Sequence, residues 1–361
     1  MLAPIRDHLS PKDPASSALL CSAKDYYFSR LSVDVQPGGP GFGGAGWVMS
    51  EDVNVEHLLD VFTTVDGKSG AVWGACVHFI EHLTWHKPRL VMLGPKIEAL
   101  ADDHPSKLEC LFRLSELFQM VGNYAERKRL LTYALALSRE QEDVRQLART
   151  LRQLSDVHLR MGLVKEGIQQ AKGASEIYKW LGDTVDQAQC IIALAWLLHN
   201  DGQLDNAEEA ISRAIVLLPE RGEEFLVCRC HHLLGVIYSS RGTVGEAVHH
   251  LEVALEIATP FSWLDILFGI RHSMALLFSD EGRFDDAHAH VEQAKLHATN
   301  GKNAPLLAHA MQLQAEVLCR QHRFAEAKSE VLGAVEIFEK LGAINKAESA
   351  RRLLQRIERD S

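Results

Sequence analysis

Gly122, Gly162, Gly202, Gly242, Gly282 and His322 stand 40 positions apart, without one insertion or deletion between them. A fixed period of this length confines a chain to an array of like units, each burying its apolar face against the next. Twelve residues after each member stands an alanine: Ala134, Ala174, Ala214, Ala254, Ala294 and Ala334. With alanine at roughly a tenth of all residues, six in register arise by chance about once in a million trials, so the column is real.

Further columns give each unit its internal plan. Seven residues before each turn sits a small residue (Ser115, Ser155, Ala195, Gly235, Ala275, Ala315), and two residues after it an apolar one (Tyr124, Val164, Leu204, Val244, Phe284, Phe324). Five residues after the turn the last four units carry Ala207, Ala247, Ala287 and Ala327. Apolar residues recur at three, four and seven, the spacing of one helical face. Each unit therefore reads as a helix, a turn that favours a positive φ, and an antiparallel helix, with small residues where the two backbones cross. Gly182, Pro219 with Gly222, Pro260, Gly301 and Gly342 close most second helices at a similar phase.

These columns resemble the tetratricopeptide repeat (TPR), here in a 40-residue form, over residues 108 to 343. His322 departs from the turn glycine, and Arg127 and Gly167 from the first alanine, which affects local helix packing. The resemblance implies an all-α fold, an α-α superhelix of about six helix-turn-helix repeats. A degenerate pair (Gly70 to Glu81, Pro88 to Asp103) is expected before it. After it Lys346 to Arg359, with Lys346, Arg351, Arg352, Arg356 and Arg359 as a polar outer face, reads as a capping helix. The expected segmentation is 1–34, a winged-helix-like or N-terminal helical segment; 35–50, a Gly/Pro-rich linker; 51–105, degenerate repeats; 106–343, six repeats; and 344–361, the cap.

The order MLAPIRDHL, SEDVNVEHLLDVF, WHKPRL, GPKIEAL, DDHPSK, GNYAERKRLL and then repeats with RFDDAHAHVEQAK is similar to the C-terminal part of fungal NACHT or NB-ARC signalling NTPases. In that family the first segment closes a winged-helix module behind a nucleotide-binding domain. No G-x-x-x-x-G-K-[ST] occurs here, so the resemblance implies a sensor or scaffold arm, standing alone or as the tail of a longer product.

Composition narrows the partners. A net charge of −10 disfavours nucleic acid and anionic membrane, both polyanions. The longest strongly apolar run, Cys190 to Leu198, is nine residues, too short to span a bilayer. MLAPIRDHLS meets charge before an apolar stretch can build, unlike a secretory signal, and seven scattered cysteines suit free thiols. A cytoplasmic location is expected.

Several motifs invite chemistry. Gly41-Phe42-Gly43-Gly44-Ala45-Gly46 matches the dinucleotide pattern G-x-G-x-x-G, Leu31 to Val35 could be a strand before it, and Asp66 lies 20 residues past the last glycine. The next helix, however, starts near Ser50, Asp66 falls beyond a helix, and later segments all have helical period. The stretch reads as a flexible joint. His78-x-x-Glu81-His82 matches the inverted zinc-peptidase motif, a remote alternative that lacks a recognisable third acidic ligand. Cys228 and Cys230, beside His231 and His232, lie two apart on a helix and so diverge by about 200°, unable to share an ion; one thiol is expected buried and the other intermediate. His288 and His290 diverge likewise and read as a solvated face. No cofactor, no metal and no catalytic residue is expected.

Function is then expected on the concave face lined by first helices, the usual groove of such arrays. Counting back 13, 10, 6, 3 and 2 from each turn gives a central set: Arg149, Arg152, Gln189, Trp196, His199, Asn200, Arg229, His232 and His272. It is basic and aromatic on an acidic protein, between Glu109, Glu116 and Asp156 on one flank and Asp280 and Glu316 on the other. The sequence thus points to a non-catalytic scaffold that binds a peptide or protein surface, with an acidic one the match for this basic set. Three readings stay open: that scaffold, the arm of an NTPase carried in cis or trans, and a zinc hydrolase at 78–82.

Overall fold

The computed structural model describes residues 22–27, 55–56, 58–63, 69–86, 93–219, 221–300, 303–341 and 343–360, with 81–86 and 360 by backbone alone. Among them every regular element is a helix. The glycine-rich stretch 35–50 and Asp66 lie outside the described residues, as does most of 1–34.

The chain forms two compact units, Met1–Gln141 and Glu142–Ser361. Unit 1 contains α1 (Gly70–His86), α2 (Leu93–Ala99), α3 (Lys107–Met120) and α4 (Tyr124–Glu140), and residues 22–27 and 58–63 are also helical. Helix α3 packs on α1, α2 and α4 around Trp73, Phe79, Phe112 and Leu130. His78 is half-buried on α1; the side chains of Glu81 and His82 lie outside the described residues.

Unit 2 runs α5 (Val144–Arg160), α6 (Val164–Leu181), α7 (Thr184–Asn200), α8 (Leu204–Leu217), α9 (Glu224–Ser240), α10 (Val244–Ala258), α11 (Leu264–Asp280), α12 (Phe284–Asn300), α13 (Ala304–Arg320), α14 (Phe324–Lys340) and α15 (Ile344–Asp360). A local device ends these helices: positive φ recurs at 20-residue steps from Glu142 through Gly162, Gly182, Gly202, Gly222, Gly242 and Ser262 to Gly282, and again at His322. At Gly162 the amide reaches the Leu159 carbonyl (3.2 Å) and the next amide the His158 carbonyl (2.8 Å), satisfying groups a helix end leaves open. At several starts a side chain does the matching work: Asp143 Oδ1 accepts from the Gln146 amide (3.0 Å) and Asn303 Oδ1 from that of Leu306 (3.1 Å).

The alanine and small-residue columns all fall inside. Ala134, Ala174, Ala214, Ala254, Ala294 and Ala334 are buried, as are Ser115, Ser155, Ala195, Gly235, Ala275 and Ala315. At Gly235 the crossing is so close that a Cβ would stand 2.6 Å from Leu251 Cγ, which is why no side chain fits there. The departure at Gly167 has the same cause, since a Cβ would meet Leu197 Cδ2 at 2.6 Å.

Each helix in unit 2 packs on the next, and α5, α7, α9, α11 and α13 additionally pack on one another in succession. The first helices therefore form one layer, and it is this layer that carries the candidate site.

Candidate functional site on the first-helix layer of unit 2

The nine sequence-selected residues all fall on α5, α7, α9 and α11. Arg149, Arg152, Gln189, Trp196, His199, Arg229, His232 and His272 are half-buried, whereas Asn200 is exposed and donates to the carbonyl of Trp196 (2.8 Å). Asn200 thus spends its amide donor on its own helix.

The structure brings Trp196, His199 and His232 together. The indole meets His232 edge-on at 5.6 Å and His199 at 6.2 Å, while it also packs against the core cluster of α7 to α9. His272 belongs to a neighbouring group: Phe268 lies 6.0 Å from it and 6.3 Å from His309. A strip of rings therefore crosses four consecutive first helices.

Two imidazoles are tied to serines one repeat on. His199 Nε2 lies 2.9 Å from Ser240 Oγ, and His232 Nε2 2.9 Å from Ser273 Oγ. Each hydroxyl already donates to a carbonyl, Ser240 to Val236 (3.0 Å) and Ser273 to Gly269 (3.1 Å), so each must accept from its histidine. The ring proton is assigned to Nε2 on that network. Such a histidine cannot take a proton from its serine, so these pairs do not make an activated nucleophile. Gly269 makes the arrangement possible: a Cβ there would come within 3.2 Å of His232 Cε1.

Burial governs the electrostatics. It pushes His232 down to about 4, with His272 and Arg229 adding repulsion, and His309 down to about 3, with Lys346 foremost among the charges that add. His199 and His272 are lowered by the same cause. These imidazoles are neutral near pH 7. Burial likewise lowers Arg229, helped by repulsion from Arg152 and opposed by Asp156, with Arg160 adding to the repulsion. It also pushes Lys346 down to about 8, with Arg160 adding and Asp265 opposing. Asp265 and Glu316 are raised by burial.

Several sequence expectations are corrected. Lys346 does not belong to a polar outer face; it is half-buried and within electrostatic reach of Arg160, Asp265 and His309, because the start of α15 turns inward. Cys228 and Cys230 are both fully buried, not one buried and one intermediate, since α9 is flanked by helices on both sides. They do diverge, Cys228 facing the α10 to α13 cluster and Cys230 that of α7 to α9. His288 and His290 are half-buried and partnered rather than solvated: His288 binds Gln321 and Gln314 at 3.0 Å each, and His290 stacks on Phe278 at 5.4 Å.

Sequence counting missed His309, Arg160, Phe268 and Lys346. His309 stands 13 before His322 and Arg160 two before Gly162, so both were reachable by the same count had it been carried along the whole array. Phe268 and Lys346 occupy no counted position. Near α13 to α15, Glu316, Cys319, Arg320, His322, Phe324 and Arg356 line a cavity of about 600 Å³. Among the described residues no group of three or more His, Cys, Asp or Glu side chains is placed to hold a metal, and no helix is long and apolar enough to cross a membrane.

No protein-family model and no curated protein matches this chain. Solved structures do. A Rap protein complexed with competence and sporulation factor matches at a TM-score of 0.57 and 13% identity, over 95% of this chain and 98% of the other. Aspartyl phosphate phosphatase F from Bacillus subtilis matches at 0.51 and 12%, over 96% and 94%. The apo quorum sensor NprR from B. thuringiensis matches at 0.50 and 13%, over 95% and 99%. The fold is a TPR-like helical solenoid. At these identities the likeness is one of fold, and it assigns no ligand.

Proposed function

We propose that the chain is a non-catalytic interaction scaffold that takes an acidic segment of a protein or peptide on the first-helix layer of unit 2. The observation that carries this reading is the open chemistry of that layer. The side chains of Arg152 and Arg229 form no ion pair or hydrogen bond among the described residues, Asp186 and Asp156 reaching them only at longer range, and the Nε of Arg152 is buried without a partner. The ring strip beside them supplies apolar surface with neutral imidazoles. Guanidinium groups pair carboxylates strongly, and a ring strip can seat an apolar side chain. The complex of the Rap protein with competence and sporulation factor supports the reading by analogy of fold alone.

The test is peptide-array binding by the wild-type chain and an Arg152→Ala/Arg229→Ala variant. Retention of acidic peptides by the first and about tenfold weaker retention by the second is expected. Equal retention by both would remove the site from this layer.

The segmentation at 1–34, 35–50, 51–105, 106–343 and 344–361 belongs to the same proposal, with 106–343 as the binding array. The second reading, a sensing or restraining arm of a NACHT or NB-ARC NTPase, rests on the segment order from MLAPIRDHL onward. An in-frame P-loop upstream of Met1 in the gene would favour it, and its absence would leave the free-standing scaffold.

A further inference from the structure

The far end of the first-helix layer carries a second, separate feature. From α5 to α13 each first helix packs on the next, but α15 packs chiefly on α14. The cavity of about 600 Å³ opens where the layer parts, with Glu316, Cys319 and Arg320 from α13, His322 and Phe324 from the turn and the start of α14, and Arg356 from α15. Its volume is that of a small-molecule site. Two pairs of opposite charge stand at matching positions 40 residues apart, Asp280 with Arg320 and Glu316 with Arg356. The first pair is closed, Arg320 Nη2 lying 3.0 Å from Asp280 Oδ1. The second is open: among the described residues neither Glu316 nor Arg356 makes an ion pair or side-chain hydrogen bond, and both line the cavity.

An open pair selects its ligand by charge. Glu316 is half-buried, and burial raises its carboxyl, with Arg320 and Arg356 opposing that only in part. A desolvated carboxylate gains from an ammonium group brought beside it. Arg356 is exposed, and a guanidinium fork matches a carboxylate. Because Asp280 already occupies Arg320, the lining keeps one unspent carboxylate and one unspent guanidinium. A simple anion or cation satisfies one of them and leaves the other open, whereas a zwitterion satisfies both. Phe324 and Cys319, both half-buried, add an apolar wall. An α-amino acid radiates ammonium, carboxylate and side chain from one carbon, matching the three walls supplied by α13, α15 and the start of α14. We propose that this cavity binds a free α-amino acid with an apolar side chain, its ammonium on Glu316, its carboxylate on Arg356 and its side chain against Phe324 and Cys319.

The test is isothermal titration calorimetry of the full chain with L-leucine, L-methionine and L-phenylalanine, each beside its deaminated acid and its decarboxylated amine. At least one amino acid is expected to bind, about tenfold or more tightly than both of its single-charge analogues. Glu316→Gln and Arg356→Gln should each weaken that binding about tenfold, with circular dichroism checking that each variant folds. Arg356 is exposed, so its variant keeps the test valid should Glu316→Gln unfold. No binding by any of the three amino acids overturns the site. Analogues that bind as tightly as their parent overturn the zwitterion, and γ-aminobutyrate that binds more tightly than all three overturns the α-amino-acid class. Binding that is unchanged in Arg356→Gln places the ligand elsewhere and overturns the cavity assignment.

Discussion

Lys107 in unit 1 and Arg152 and Arg229 on the first-helix layer of unit 2 are all at least half withdrawn from solvent, and they are treated in opposite ways. Lys107 is fully buried, with its ammonium donating to the carbonyls of Glu98 (2.6 Å) and Leu100 (2.7 Å) at the end of α2. The Asp102 carboxylate lies at 3.7 Å and the Tyr133 ring at 5.0 Å. Those carbonyls are among the ones a helix end leaves open, so the lysine closes α2 and tethers it to α3. Arg152 and Arg229 have no such partners among the described residues. Shortage of carboxylates is not the reason, because Asp and Glu outnumber Lys and Arg 48 to 38. A cation with every donor spent is a structural staple, and a cation left open in an acidic chain marks a place where an anion can arrive.

Substitution by a residue of similar length puts the contrast under the most strain. Lys107→Met removes the charge but leaves the carbonyls of Glu98 and Leu100 without this donor, and should destabilise the fold by about 2–4 kcal/mol in urea unfolding. Arg229→Met removes a charge that Asp156 opposes only in part, with Arg152 and Arg160 repelling it. It should leave stability unchanged or raise it by about 1 kcal/mol. A loss at Arg229 as large as that at Lys107 would make the arginine a structural group and break the distinction.

Acid should separate the two units next. Among the described residues, all the histidines with lowered values, including His199, His232, His272 and His309, lie in unit 2. A histidine whose folded value is depressed contributes its full stability above the unfolded value near 6.5. That contribution falls as pH drops toward the folded value, because only the unfolded chain binds the proton. For His232, held near 4, the loss is about 3 kcal/mol between pH 6.5 and 4. Hydrogen exchange at pH 5 should therefore rise in α7 to α13 before it rises in α3 and α4; simultaneous opening of both units would contradict it.

These contrasts also show what sequence can convey. The period, the turns and the buried small columns follow from local rules, because a left-handed turn and a close helix crossing each demand a residue type. The positions of Trp196, the layer's histidines and its arginines were reachable for the same reason, since one register selects one side of every first helix; Phe268 falls outside that register. Lys346 was not reachable, since it falls on no position of that register, and a lysine in a run of arginines reads as surface. Nor was the pairing of His232 with Ser273, which needs both Gly269 and a neighbour 41 residues away.

Lys346 offers a smaller and signed test. With its folded value near 8 and the usual lysine value near 10.5, its charge is a burden at pH 7. Lys346→Met should stabilise by about 2 kcal/mol there. As pH rises from 8 toward 10.5 the folded wild type sheds the proton while the unfolded chain keeps it, so the wild type gains stability and the advantage of methionine shrinks. An advantage independent of pH would mean that packing, not charge, separates the variants.

The smallest effect isolates a cost in unit 2 that has nothing to do with its open charges. Glu142, Ser262 and His322 adopt φ of 55°, 53° and 58°, where a side chain crowds the following carbonyl, whereas the positive-φ residue described in unit 1 is Gly122. His322→Gly keeps the turn and relieves that crowding, and should raise stability by about 1 kcal/mol, a rise in melting temperature of a few degrees. The flexibility glycine adds to the unfolded chain offsets part of the gain. His322 is exposed, its ring meeting Phe324 edge-on at 5.8 Å, so little packing is lost. If His322→Gly and Arg229→Met are combined, their effects should add, since one acts through backbone strain and the other through charge. A departure from additivity beyond about 0.5 kcal/mol would show the turn and the arginine layer to be coupled, and the stability assigned to the open cations would have to be shared with the turn.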